Sequence, residues 1–143
     1  MTAAYWLFGL LTAGVFAYLR IEKRLAARAR ARLKHVVHVN GTRGKSSVTR
    51  LIGAGLRAGG LRVMSKTTGT VPQLTGVDGR EEFITRHGNP NIREQLLILR
   101  RAAAQHADVL VIECMAITPE LQRVTQHEML GADIAVITNA RRD

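Results

Sequence analysis

Apolar and polar positions divide this chain into one long apolar run and then an alternation of short ones. Residues 2–19 contain no charged side chain. As a helix, eighteen residues span about 27 Å, close to the hydrocarbon thickness of a bilayer. Tyr5, Trp6 and Tyr18 sit toward its two ends, where interfacial aromatics are favoured. Past a basic stretch, four apolar runs read as strands: 35–39, 61–65, 108–113 and 133–138. The last two (DVLVIE and DIAVIT) are rich in β-branched residues without strict alternation, the pattern of strands covered on both faces. Helical patterns lie between the strands. One covers 48–56 and ends at Gly59-Gly60. A second covers 92–106, with Leu96, Leu97, Leu99 and Ala103 on a stripe. A third covers 118–129, opened by Thr118-Pro119-Glu120 with Pro in the tolerated first turn. This alternation predicts an α/β fold with a parallel sheet flanked by helices. Residues 66–91 are polar, Gly-rich and aperiodic, and read as a substrate loop.

Charge changes this picture at one place. Residues 20–34 hold seven cations against Glu22 alone, six of the chain's ten net positive charges. An apolar run followed directly by a basic block predicts a single-pass anchor in the cell membrane, with the N-terminus outside and the rest cytoplasmic. No basic region precedes the run and no convincing cleavage site follows it, which argues against a removed signal peptide. The block itself reads as a helix along the membrane surface, attracted by anionic headgroups, or as a solvated charge run. Gly9, Ala13 and Ala17 share a helix face, either a close-approach stripe for another membrane helix or ordinary composition. The few aromatics are not interleaved with the basic block, so nucleic acid is not an expected partner. With 143 residues, the expected organisation is an anchor over 1–19, a basic juxtamembrane helix over 20–34 and part of one nucleotide-binding domain over 35–143. Cys114 is the single cysteine, so the chain forms no internal disulfide, which fits a reducing compartment. It reads as a small buried residue rather than a nucleophile.

The candidate chemistry lies between the first strand and the first helix, in Asn40-Gly41-Thr42-Arg43-Gly44-Lys45-Ser46-Ser47. Strand, Gly-rich turn, Lys-Ser and helix is the context of a phosphate-binding loop. Glycines let successive N–H groups point at an anion, and the new helix adds its positive end. Lys45 can reach β- and γ-phosphates and the Ser46 hydroxyl can bind Mg²⁺. The longer G-x-x-x-x-G-K-[ST] pattern is not met, because Val39 stands at its first glycine. In open α/β sheets, ligands sit at the carboxyl ends of the strands. That rule adds Glu113, an acid closing a buried run, as a Mg²⁺ ligand or a strand-end residue, and Asn139 and Asp143 after the last strand.

Four ordered stretches carry a resemblance. N-G-T-R-G-K-S-S-V-T-R-L at 40–51 resembles the ATP loop of the Mur ligase superfamily. K-T-T-G-T at 66–70, P-N-I-R-E-Q at 90–95 and E-C-M-A at 113–116 resemble the synthetase subunits of poly-γ-glutamate synthase, the PgsB/CapB type. The resemblance implies an α/β ATPase domain like the Mur ligase central domain, carrying an ATP-dependent, ADP-forming amide ligase. Its cofactors would be ATP and Mg²⁺. Its partners would be glutamate or poly-γ-glutamate and other membrane subunits of the synthase. Gly41, Thr42, Arg43, Gly44, Lys45, Ser46, Ser47 and Asn139 would bind nucleotide. Ser46 and Glu113 would serve the metal, and Lys45, Glu113 and Asp143 would be catalytic. Thr67, Thr68 and Thr70, with Arg43, would face acyl phosphate or acceptor, or simply form turns. Similar family members continue with N-x-x-x-D-H, whereas Asn139 to Asp143 stops one residue before that His. The chain is therefore expected to be an N-terminal portion of a longer synthetase. The alternative is a truncated nucleotide-binding scaffold or regulatory subunit without turnover. A P-loop kinase or GTPase is disfavoured by Val39 and by the lack of an N-K-x-D-like guanine reader.

Overall fold

The computed structural model describes residues 2–69, 71–85 and 91–140, and the side chains from residue 4 onward within them. The first strand is β1 (His35–Asn40), whose successive side chains serve two different layers. Val37 and Val39 join Val63, Val109 and Val111 on one face, where Val48, Ile52 and Leu56 of α2 (Lys45–Ala58) pack on them. Val36 joins Met64, Leu110, Ile112, Leu99 and Ala102 on the other face. Two runs of β-branched and aliphatic residues, each with both faces apolar, thus hold a sheet between two helical layers.

The sheet has six strands. With β2 (Val63–Lys66), β3 (Gln73–Thr75), β4 (Glu81–Phe83), β5 (Val109–Glu113) and β6 (Ile134–Ile137), the order is β4-β3-β2-β5-β1-β6. The four strands expected from the sequence, β2, β5, β1 and β6, are parallel. Val37 pairs with Val111 on one side and Ile134 on the other. The stretch read as a substrate loop instead forms β3 and β4, an antiparallel hairpin that extends the sheet past β2. Three-residue strands are too short to show a period, and Leu74 alone is buried in β3. The last strand also departs from expectation. β6 lies at the sheet edge with three of its four residues exposed, so it is not covered on both faces.

The remaining helices build the second layer. α3 (Glu94–Ala104) supplies Ile98, Leu99, Ala102 and Ala103 to the core. Thr118 caps α4 (Pro119–Arg123), its hydroxyl accepting the Leu121 N–H at 3.4 Å. That helix runs on as a π-helical segment over Val124–Leu130 and closes at Gly131. The wider turn places Thr125 and Leu130 inward, which a 3.6-residue period from the sequence does not foresee. α1 (Thr2–Arg30) is one helix of 29 residues. Its basic half is helical to Arg30 and lies on α3. Ala26, Ala29 and Leu33 are buried, and small alanines let the helices approach closely. Arg30 anchors its end on the Gly131 carbonyl and Asp133.

Candidate nucleotide site at the carboxyl edge

After β1 the chain goes to α2 on one face. After β5 it goes to α4 and the π-helical segment on the other. β1 and β5 are neighbours, so their following loops part and leave a crevice, the place where open α/β sheets bind ligands. A cavity of about 790 Å³ lies there. Gly41, Thr42 and Lys45 line one side, Thr68 and Gly69 another, and Glu113 to Ala116 a third, with Asn139 and the exposed Ile117 also bordering it.

The loop from Asn40 to Gly44 is shaped by two glycines. Gly41 has φ 131° and Gly44 has φ 80°, both in the region that side-chain-bearing residues avoid. A Cβ on Gly41 would also lie 2.2 Å from the Thr138 hydroxyl oxygen. Gly44 precedes α2, whose N-terminus has no side-chain cap and no acidic residue in its first turn. The helix therefore presents uncompensated N–H donors and the positive end of its dipole to the loop. Lys45 Nζ donates to the Gly41 and Thr42 carbonyls at 2.7 and 3.2 Å, folding the charge over the cradle.

Glu113 is buried at the end of β5 and turned toward the loop. The Ser46 hydroxyl donates to its Oε2 at 2.8 Å, and the Thr68 N–H to the same oxygen at 2.7 Å. Ser46 and Glu113 are thus an adjacent pair of hard oxygen donors beside a phosphate cradle. This fits Mg²⁺, which takes one or two protein oxygens and completes its shell with phosphate and water. Asn139 also meets the loop. Its Oδ1 accepts from the Thr42 and Arg43 N–H groups at 3.1 and 3.0 Å. The Thr138 hydroxyl donates to the Arg43 carbonyl at 2.6 Å. Ser47 and Arg43 line a smaller recess at the same loop with Gly44 and Lys45.

The structure therefore brings Gly41, Thr42, Arg43, Gly44, Lys45, Ser46, Ser47, Glu113 and Asn139 together. Asp143 and Thr70 lie outside the described residues. Thr67 is buried, with its hydroxyl toward the Gln73 carbonyl, so it serves the hairpin rather than the cavity. Cys114 is a buried thiol whose pKa burial raises, as a small core residue requires. Three polar residues escaped the sequence reading. Gln122 accepts from Asn40 Nδ2 at 2.9 Å and lines the cavity. Gln95 is buried and donates to the Glu113 carbonyl at 3.1 Å. Lys66, fully buried, pairs with Glu94 at 2.7 Å. A glutamine or lysine gives no sequence signal of burial, although Lys66 and Gln95 do stand within the quoted K-T-T-G-T and P-N-I-R-E-Q stretches.

Residues 39–143 match the Mur ligase middle domain family. PGA synthase CapB of Bacillus subtilis (strain 168) is 36% identical over 140 residues, covering 96% of this chain and 36% of that one. Capsule biosynthesis protein CapB of Bacillus anthracis is 33% identical over 140 residues, covering 96% and 30%. The chain thus spans about a third of the length of these curated relatives. A solved structure, UDP-N-acetylmuramoyl-L-alanyl-D-glutamate–2,6-diaminopimelate ligase, superposes with a TM-score of 0.53 at 22% identity, over 78% of this chain and 21% of that chain. That similarity bears on the fold.

Proposed function

We propose, for a chain that belongs to the Mur ligase family, that it supplies the ATP site of an amide ligase making poly-γ-glutamate. The observation that carries this reading is the Ser46–Glu113 contact beside the uncapped N-terminus of α2, with Lys45 over the loop. It is an arrangement for a nucleotide triphosphate with its metal. Gly41, Thr42, Arg43, Gly44, Ser46 and Ser47 hold the phosphates, and Asn139 fixes the loop or meets the nucleotide. Ser46 and Glu113 hold Mg²⁺, which screens phosphate charge when bound. A γ-carboxylate oxygen of glutamate or polyglutamate attacks the γ-phosphorus of ATP, and ADP leaves. The amine nitrogen of the next glutamate then attacks the acyl carbon, phosphate leaves and the nitrogen loses a proton. Lys45 lowers the repulsion between two polyanions as they approach. Asp143 is the further catalytic carboxylate of this reading.

The same reading places the chain in the cell membrane. α1 is long and apolar enough to cross a bilayer, and the window that qualifies is not buried against the rest of the molecule. Arg20, Lys23 and Arg24 are exposed directly after the apolar run, where anionic headgroups would meet them, on the cytoplasmic side by the positive-inside rule. Other membrane subunits of a synthase are the expected partners. The alternative to be separated from this reading is a nucleotide-binding scaffold without turnover.

The test is glutamate-dependent ADP release from membranes carrying this chain with its neighbouring subunits. Lys45→Ala is expected to remove at least about two orders of magnitude of release. Nucleotide binding without glutamate-stimulated release supports the scaffold, and release unchanged by Lys45→Ala removes the phosphate-loop assignment.

A further inference from the structure

The direction of α1 relative to the sheet is set by contacts at two levels. At its C-terminal end, Arg30 holds the Gly131 carbonyl at 2.8 Å and Asp133 at 2.5 Å, and Lys34 pairs with Asp108 at 2.9 Å. Asp133 and Asp108 immediately precede β6 and β5, so this is the amino edge of the parallel strands. Three turns earlier, Tyr18 and Glu22 accept from Arg93 at 2.7 and 2.5 Å. Arg93 precedes α3, and the first residues of α3 reach the opposite edge. Glu94 pairs with Lys66, the last residue of β2, and Gln95 donates to Glu113, the last residue of β5. α1 therefore runs antiparallel to the parallel strands, with Tyr18 level with their carboxyl ends. Residues 2–17 continue the same helix beyond that edge, by about 24 Å at 1.5 Å per residue.

From this geometry, and resting on the reading of α1 as a membrane anchor, we propose that the carboxyl edge of the sheet, with the phosphate loop on it, is the face of the domain that lies against the lipid surface. A helix that leaves the domain past one edge and enters the bilayer brings that edge to the headgroups.

The side chains at the two edges bear on this independently. Val71, Phe83, Ile117 and Ile137 end strands or follow them at the carboxyl edge, and all are exposed, Ile117 at 90%. The exposed cations Arg43 and Arg93 accompany them. At the amino edge, among the described residues, the loops at 31–34, 59–62, 105–108 and 131–133 expose no large apolar side chain. They carry the exposed cations Arg32, Lys34 and Arg62, with Asp108 and Asp133 paired to Lys34 and Arg30. Both edges carry cations, so the exposed apolar side chains are what distinguish the carboxyl edge, and apolar side chains beside cations suit an anionic bilayer interface. A nucleotide site at that edge would act within reach of any membrane-embedded partner, and its product would form at the bilayer rather than on the far side of the domain.

The experiment places one thiol-linked fluorophore at either edge of the full chain, in a Cys114→Ser background. Ile117→Cys labels the carboxyl edge and Arg80→Cys the turn after β3 at the amino edge, both at exposed side chains. Each protein is reconstituted into phosphatidylcholine–phosphatidylglycerol vesicles containing a headgroup nitroxide, and flotation is measured first. Quenching several-fold greater at position 117 than at position 80 is expected. Equal quenching, or the reverse order, in a chain that floats overturns the orientation and leaves the anchor standing. A chain that does not float removes the anchor and the orientation with it.

Discussion

Gly41 and Gly44 look alike in the sequence, yet the structure separates their roles. Gly41→Ala places a Cβ against the Thr138 hydroxyl and the Asn139 backbone in a backbone conformation alanine rarely adopts. The conformation alone costs of order 1–3 kcal/mol, and the clash adds displacement of the loop. Gly44→Ala meets no atom within 4 Å, so only its left-handed conformation counts against it, about 1–2 kcal/mol. Thermal unfolding should rank the two variants in that order, and calorimetric titration with Mg·ATP should show weakened nucleotide binding at both. His38 carries a second expectation at this scale. It is fully buried on β1, with Nδ1 3.4 Å from the Gln126 side chain and no partner for Nε2 among the described residues. Burial lowers its pKa below 6.5, outweighing the Gln126 contact. The unfolded chain therefore takes up a proton before the folded one does. The stability contribution is fully present above pH 6.5 and is lost as pH falls from there toward the folded pKa. Asp108 and Asp133 have lowered pKa values, so their contributions fade only at more acidic pH. A melting-temperature profile should show a step beginning near pH 6.5 in the wild type and no such step in His38→Leu.

Among the elements, β1, β2, β5, α2 and α3 were legible because each buries a side-chain pattern of its own, and β6 through its β-branched run. The hairpin β3–β4 was not, because its two strands together hold one buried side chain and depend on pairing with β2. What ties these elements together at the carboxyl edge is the start of α3. Arg93 holds α1, Glu94 holds β2 through Lys66, and Gln95 holds β5 through the Glu113 carbonyl. Breaking one partner of a buried ion pair leaves the other charge in low dielectric, at about 3–5 kcal/mol, whereas an apolar pair of similar volume is close to neutral. Glu94→Gln is therefore expected to unfold at markedly lower denaturant than Lys66→Met/Glu94→Leu. Equal midpoints would show that the pair is not what joins α3 to β2.

For the whole molecule, the proposed anchor and the domain share a helix instead of a linker. Removal of residues 2–19 is expected to move the protein to the soluble fraction, because the apolar half of α1 has no buried side chain among the described residues. The retained half still carries Ala26, Ala29 and the Arg30–Asp133 pair, so the domain should keep its fold by circular dichroism. Persistence in membranes after a high-salt wash would place the attachment elsewhere.

Local chemistry determined what depends on a few adjacent residues. The loop from Asn40 to Ser47 needs only neighbouring glycines, a lysine and a helix start, and these are contiguous. The apolar length of residues 2–19 and the β-branched runs are likewise properties of single segments. Only tertiary structure decided which distant groups meet. Ser46 reaches Glu113, and Asn139 reaches the Thr42 and Arg43 amides, because β5 and β6 flank β1 in parallel and bring three strand ends together. The burial of Lys66, His38 and Gln95 follows the same rule. A polar side chain is enclosed by its neighbours in space, and those neighbours lie far away along the chain.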